Sequence, residues 1–237
     1  MENSVNDKIK LVDGVFTAIS KKYDLMNDVI SLGFHRIIKR NAVKNNCQSG
    51  DFLDLAAGTG DCAIYFRKLF GEKNKITLAD PNIEMLACAK TRLEKKSIND
   101  NIDFITCYAE ELPFDDNSFD NIIIGFGFRN FSDRNKALNE IYRVLRNNGN
   151  LIIIDFSRPT NPIINILNTY YMKNIVPFFA KIITRNISEY QYLASSIKEH
   201  PQQSKIIQMM ENTGFTNCCY ENKLNGIIAV HFGTIRN

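Results

Sequence analysis

The chain has 237 residues, 44% of them hydrophobic and 23% charged, with a net charge of +3. That composition suits a globular fold with a sizeable core, and the charge is too mild for a nucleic-acid-binding surface. Six cysteines, Cys47, Cys62, Cys88, Cys107, Cys218 and Cys219, form no C-x-x-C pair. They read as reduced, mostly buried thiols and argue against a disulfide framework or a metal site.

Residues 1–13 are polar and lack the apolar region of a secretory signal. The most apolar long stretch, 163–183, is interrupted by Asn165, Asn168, Lys173, Asn174, Pro177 and Lys181. No membrane-spanning helix is expected from it. The expectation is a soluble, cytoplasmic protein, at most peripheral at a membrane surface.

Taken in order, Phe16, Ile19, Tyr23 and Met26 recur at helical spacing across 15–28, and a second amphipathic piece spans 35–43. A polar linker follows at 45–50. From residue 51 strands and helices alternate. Strands are predicted at 51–56, 75–79, 102–107, 119–124 and 150–155, and helices at 61–70, 82–96 and 134–146. Pro81 suits the opening of the second helix, and Asp133 is a candidate cap for the third. Short apolar runs bounded by turns, alternating with helices, predict a parallel sheet covered on both faces. Residues 162–200 read as helices only. A helix at 202–213 stops at Gly214, and strands at 215–221 and 226–234 close the chain. Their connection is too short for a crossover helix, so an antiparallel strand is expected near the C-terminus. The expected organisation is one domain of about seven strands. Its parts are an N-terminal helical lid (1–48), a cofactor-binding core (49–159), a helical insertion covering the substrate (160–200) and a C-terminal helix with a strand pair (201–237).

The stretch Phe52 to Asp61 is strand, glycine turn, helix start. Gly58 and Gly60 permit a sharp turn and close approach of a ligand to backbone. Asp80 ends the second predicted strand, where a carboxylate can accept both hydroxyls of a ribose. Tyr108-Ala109 ends the third, where an adenine would lie. These strand ends form the edge at which open α/β sheets bind ligands. The spacing Ala56-x-Gly58-x-Gly60 lacks the third small residue of the dinucleotide fingerprint. Asp54 and Asp61 would repel a pyrophosphate and suit a cationic ligand that bears an amino acid. The cofactor expected on these grounds is S-adenosylmethionine.

The motifs Tyr23-Asp24-Leu25-Met26-Asn27-Asp28, Gly33-Phe34-His35-Arg36 and Leu53-Asp54-Leu55-Ala56-Ala57-Gly58-Thr59-Gly60-Asp61 have a family resemblance. So do Ala109-Glu110-Glu111-Leu112-Pro113-Phe114, Phe126-Gly127-Phe128-Arg129-Asn130, Asp155-Phe156-Ser157-Arg158-Pro159 and Tyr190-Gln191-Tyr192-Leu193-Ala194-Ser195-Ser196-Ile197. The chain resembles the ubiquinone/menaquinone biosynthesis C-methyltransferases from Val15 onward. They are class I, Rossmann-like methyltransferases that use S-adenosylmethionine. The resemblance implies cofactor contacts at Thr59, Asp80, Tyr108, Ala109 and Gly125. Tyr23, Asp54, Ala56, Gly58, Gly60 and Pro81 complete the expected set. Two of the contact positions depart from the family pattern: Tyr108 stands where Asn is common, and Gly125 where Ser is common; Asn147-Asn148-Gly149 also replaces the usual Lys-Pro-Gly turn.

The resemblance further implies methylation of a ring carbon on a polyprenylated benzoquinol or naphthoquinol. Such a carbon becomes nucleophilic as the neighbouring phenol loses its proton. Arg129 is expected to hold the phenolate or polarise a water, and Asn130 to orient the ring; the alternative is that Arg129 pairs with a carboxylate and locks the loop. An unperturbed Arg is a poor base, so His35 is the alternative proton acceptor. His200 and His231 read as structural. The apolar residues of 162–179 suit either core packing or a groove for the substrate tail. Expected partners are the quinol, a membrane surface or quinone-synthesis assembly, and a second copy of the chain as a homodimer, with no nucleic acid. The rival readings are another methyltransferase on the same fold and a non-catalytic adenosyl-binding scaffold. Presence of the Arg129-Asn130 pair speaks against the scaffold.

Overall fold

A computed structural model describes residues 23–178 and 188–236. Residues 15–22 of the first expected helix and 179–187 of the insertion lie outside this set, as does the side chain of Tyr23. Two helices come first, α1 (Tyr23–Ser31) and α2 (Phe34–Asn46). An alternating series follows: β1 (Phe52–Leu55), α3 (Asp61–Phe70), β2 (Ile76–Ala79), α4 (Ile83–Glu94), β3 (Ile102–Ile105), β4 (Phe119–Gly125), α5 (Arg134–Val144) and β5 (Leu145–Phe156). The insertion holds α6 (Pro162–Tyr170), a wider turn at Tyr171–Ile175, and α7 (Ser188–Glu199). The chain closes with α8 (Gln203–Thr213), β6 (Thr216–Lys223) and β7 (Ile228–Thr234).

The sheet order is β3-β2-β1-β4-β5-β7-β6. Pairs from β3 to β5 are parallel, and β7 runs antiparallel to both β5 and β6. This matches the expected mostly parallel sheet with an antiparallel strand at the C-terminal end. The order reverses between β1 and β4. Chain growth proceeds outward from β1 to β3, then returns to the other side of β1, which opens a crevice at the carboxyl ends of these two strands.

Alternate residues of the buried strands serve opposite faces. Phe52, Leu78, Ile123 and Ile154 pack with α2, α3 and α4, and the Phe52 ring stacks on Phe66 at 4.1 Å between centroids. Leu53, Leu55, Ile124 and Ile153 pack with α5 and α8 through Leu138, Ile141, Ile206 and Met210. Several boundaries shift by a residue or more, and two of the shifts have a clear cause. Helix α5 stops at Val144, because Leu145 already pairs with Phe119 across the sheet. Asn148, at φ 61, turns the chain within β5, and its N–H donates to the Ile235 carbonyl at 2.8 Å. The last strand begins at Ile228 because Leu224–Gly226 form a single tight helical turn, with Asn225 in the left-handed region.

The insertion leaves more apolar surface in solvent than core packing allows. No residue of α6 is buried, and Ile166 is 69% exposed. Its continuation meets the N-terminal helices through the Tyr171 hydroxyl, which donates to the Val29 carbonyl.

Candidate active site

Strand β1 is buried along its whole length, so the chain must leave the sheet abruptly where it meets solvent. Ala56, Gly58 and Gly60 make that exit with φ of 54, 53 and 78. Gly60 is required there: a Cβ would lie 3.0 Å from Leu78 Cδ2 in addition to the left-handed strain. The Ala57 N–H donates to Ala79 at the end of β2, 3.1 Å. Asp80 then pins the corner from the neighbouring strand end. Its Oδ2 accepts from the Gly58 N–H at 2.8 Å and its Oδ1 from the Asn82 N–H at 2.9 Å. Pro81 carries the chain to Asn82, whose side chain caps α4 by accepting from the Met85 N–H at 3.0 Å. The Thr59 carbonyl accepts from Arg92 Nη1 at 2.7 Å. The corner is therefore built in advance of any ligand.

The three acidic residues of the corner occupy different environments. Asp54 is buried beneath it, accepting from the Ala63 N–H at 3.0 Å. Burial pushes its carboxyl up to about 7, against the pull of Lys39. Asp61 is also buried, and burial alone would raise its carboxyl too. Lys39 Nζ at 3.3 Å and Arg92 Nη2 at 2.7 Å overcome that and hold it well below the usual carboxylate range. The negative charge that suggested a cationic ligand is thus reduced at Asp54 and matched within the protein at Asp61. Asp80 is the carboxylate held directly against the corner's backbone.

The crevice wall on the β4 side is Gly125-Phe126-Gly127. A Cβ on Gly127 would lie 2.5 Å from the Ala56 Cβ, so the loops after β1 and β4 touch at the switch point. A Cβ on Gly125 would meet Cys62 Sγ and Lys39 Cε, both at 3.2 Å. The Lys39 stem thus runs beside Gly125. Phe126 is buried with φ 68. Beyond β3, Ala109 is buried and Tyr108 is exposed.

His35 projects from α2 with its ring edge-on to Phe126, 6.2 Å between centroids. It is 1% exposed. The Ser31 hydroxyl donates to the Asn27 carbonyl at 2.6 Å and lies 2.8 Å from His35 Nδ1. With the Ser31 proton committed to Asn27, Nδ1 must carry the imidazole proton. Nε2 is then the acceptor, and among the described residues nothing pairs with it. Burial, with Lys39 nearby, pushes the ring down to about 4, which keeps it neutral at pH 7.

Arg129 and Asn130 lie in a short helical turn (Phe128–Asn130) after β4. The Arg129 guanidinium, expected to meet a phenolate, is 2% exposed. Its Nη1 donates to Asp155 Oδ1 at 2.7 Å and to the Phe126 carbonyl, while its N–H donates to Asp155 Oδ2 at 2.9 Å. The guanidinium carbon stands 5.4 Å from the centre of the Phe156 ring. Against the cost of burial, Arg129 holds the Asp155 carboxyl below the ordinary range. Arg129 therefore braces the loop between β4 and β5. Asn130 is partly exposed at the loop's tip, and its Oδ1 accepts from the Tyr192 hydroxyl of α7 at 2.9 Å. His200 is buried behind this loop with its ring edge-on to Phe128, and His231 is buried in β7.

Sequence reasoning brought the corner, Asp80, Ala109 and the Gly125–Asn130 loop to one edge, and the fold places them there. It weighed Arg129 pairing with a carboxylate to lock the loop, without naming Asp155, and it missed the partnership of Asp61 with Lys39 and Arg92 and of Asn130 with Tyr192. Asp155 and Tyr192 each stand in a motif already singled out, which is the one signal that could have found them.

A family model described as the ubiE/COQ5 methyltransferase family matches residues 2–235. The relative "Ubiquinone/menaquinone biosynthesis C-methyltransferase UbiE" of Francisella tularensis subsp. mediasiatica is 44% identical over 229 residues, covering 96% of this chain and 92% of its own. The protein of the same name from Hahella chejuensis is 42% identical over 231 residues, covering 97% and 93%. Among solved structures, a SAM dependent methyltransferase from Aquifex aeolicus matches with TM-score 0.65 at 19% identity, over 92% of this chain and 98% of that one. A SAM-dependent methyltransferase from Thermotoga maritima matches with TM-score 0.64 at 21% identity, over 93% and 98%. At such identities these structures speak to the fold alone. Match length and identity to the relatives go further: the chain belongs to the ubiE/COQ5 methyltransferase family.

Proposed function

We propose that the chain transfers a methyl group from S-adenosylmethionine to a ring carbon of a polyprenylated quinol in ubiquinone or menaquinone biosynthesis. The acceptor is 2-polyprenyl-6-methoxy-1,4-benzoquinol, demethylmenaquinol, or both. Beside family membership, one observation carries the reading. The prebuilt corner after β1 and the loop bearing Asn130 touch at Ala56 and Gly127, so cofactor and acceptor share one crevice.

The residues present fit the cofactor. A carboxylate offers about four acceptor sites, so Asp80 serves the ribose hydroxyls as well as the corner amides it already holds. Ala56, Gly58, Thr59 and Gly60 present backbone to the amino-acid end, Tyr108 and Ala109 flank the adenine, and Pro81 sets the turn between them. Gly125 lets the Lys39 stem pass close behind the crevice wall. When bound, S-adenosylmethionine supplies an electrophilic methyl group. The chain's own part is to hold the ring carbon in line with that methyl, at about 3 Å, and to manage the phenol proton. His35 is as buried as Arg129 and is pushed down to about 4, so it is a weaker base than an ordinary imidazole and takes the proton only through a water that reaches Nε2 from the crevice. Arg129 acts through what it braces, fixing the loop that positions Asn130.

The tail of the quinol runs along the insertion. Ile163, Ile166, Leu167 and Tyr170 on one side, and Leu32, Phe34 and Ile37 on the other, are exposed on elements joined by Tyr171 and Val29. No described helix is long and apolar enough to cross a membrane. The reading therefore places this face against the membrane surface where such quinols reside. Co-sedimentation with anionic vesicles at low salt checks that part, and protein left in the supernatant speaks against it. The quinone pool of cells lacking the gene tests the whole reading. Accumulation of a demethylated quinone supports it and names the substrate, whereas an unchanged pool sinks it.

A further inference from the structure

With Arg129 sealed against Asp155, the side chain at the loop tip is Asn130. The Asn130 N–H donates to the Gly127 carbonyl at 2.9 Å, which closes the turn and fixes the backbone. The carboxamide could still rotate, presenting either its oxygen or its amino group to the crevice. Tyr192 removes that freedom. Its hydroxyl reaches over from α7 and donates to Asn130 Oδ1 at 2.9 Å. Burial raises the Tyr192 hydroxyl above its ordinary range, so it remains a protonated donor at neutral pH. The two Nδ2 hydrogens of Asn130 are left, and among the described residues no acceptor pairs with them.

We propose that Tyr192 is a positioning residue. It locks the Asn130 amide with its amino group towards the reacting ring, where that group donates to the quinol oxygen as negative charge gathers on it. A donor aimed in advance at developing charge lowers the barrier without reorganising during the reaction. This inference rests on the quinol reading above, and it extends that reading by naming what turns Asn130 from a shape contact into an electrostatic one.

The test uses the full chain, S-adenosylmethionine and a short-chain demethylated benzoquinol. Tyr192→Phe keeps the ring and removes the donor. It should lower kcat on the order of tenfold, leave KM for S-adenosylmethionine unchanged, and move the limb of the pH–rate profile that reports phenol ionisation to higher pH. Asn130→Ala should lose more, and the double variant should equal Asn130→Ala, because residues acting as one unit are non-additive. Asn130→Asp keeps an oxygen for Tyr192 but has no amino group, so it should retain the melting temperature and lose activity. Additive losses, an unshifted pH limb, or wild-type kcat in Tyr192→Phe or Asn130→Asp would overturn the proposal. A wild-type protein that transfers no methyl to the quinol overturns the function reading instead, and this inference with it.

Discussion

Replacing Asp155 by Asn removes one negative charge and leaves the side chain's shape. In the folded protein Asp155 is 1% exposed and Arg129 2%. The carboxylate accepts the Arg129 Nη1 and N–H and also the Phe156 N–H, at 2.7, 2.9 and 2.8 Å. The amide keeps one acceptor oxygen, puts an amino group where the other oxygen stood, and strands the guanidinium's charge in the interior. Breaking a buried pair in this way costs about 3–5 kcal/mol, a large part of the roughly 5–15 kcal/mol that holds a domain folded. For a chain of this size each kcal/mol moves the melting temperature by about 2–4 °C. Asp155→Asn should therefore melt roughly 6–20 °C below wild type in calorimetry, and the loss should repeat in a urea titration with an unchanged slope. Replacing both partners, as Arg129→Met with Asp155→Leu, should recover most of that stability, since an apolar pair of similar volume carries no desolvated charge. A drop of less than about 2 °C in the single variant would mean that the pair does not brace the loop, and Arg129 would again be open to direct contact with the phenolate.

Three further outcomes follow from the same geometry. Gly127→Ala drives a Cβ to 2.5 Å from Ala56; the backbone must yield at a cost of about 1–3 kcal/mol, and S-adenosylmethionine affinity should fall at least on the order of tenfold by titration calorimetry, whereas a Kd within about twofold of wild type refutes the shared crevice. Lys39→Met leaves the buried Asp61 with Arg92 alone and should cost on the order of 3 kcal/mol, while Lys75→Met, which breaks an exposed pair with Asp103, should cost about 1 kcal/mol or less; equal effects on the melting temperature would contradict the distinction. Stability should also fall on acidification. His35, His200 and His231 are each pushed down to about 4, chiefly by burial, from an ordinary 6.5. The unfolded chain takes up those protons first, so stability is full above pH 6.5 and drops towards pH 4, by roughly 2 kcal/mol per histidine at pH 5. Asp54, pushed up to about 7, runs the other way: its contribution is full below pH 4 and declines as pH rises through 7, which returns roughly 2 kcal/mol at pH 5. The net is a loss of a few kcal/mol between pH 7 and pH 5, and a urea midpoint higher at pH 5 than at pH 7 would show the histidines to be paired or solvated.

Much of this protein is written in short-range pattern. Apolar runs of four residues, glycines at the turns and helical stripes such as Ala137, Leu138 and Ile141 carry their own local physics, so strand, corner and helix could be placed from the letters alone. The rule that open α/β sheets bind ligands at strand ends then gathered Gly58, Asp80, Ala109 and Asn130 without any knowledge of strand order. Charge was another matter. The letters Asp54 and Asp61 suggested a negative corner, yet burial keeps one carboxyl partly protonated at neutral pH and the other is matched by cations from α2 and α4. Arg129 and Asp155 stand 26 residues apart and Asn130 and Tyr192 stand 62 apart. Their pairing depends on which strands become neighbours and which helix folds back over the loop. Local sequence determines where a backbone turns and which face is apolar, because those depend on neighbours along the chain. Which charges are silenced, and which donor points into the crevice, only the tertiary structure decides, because solvation and counterions are supplied by residues remote in sequence.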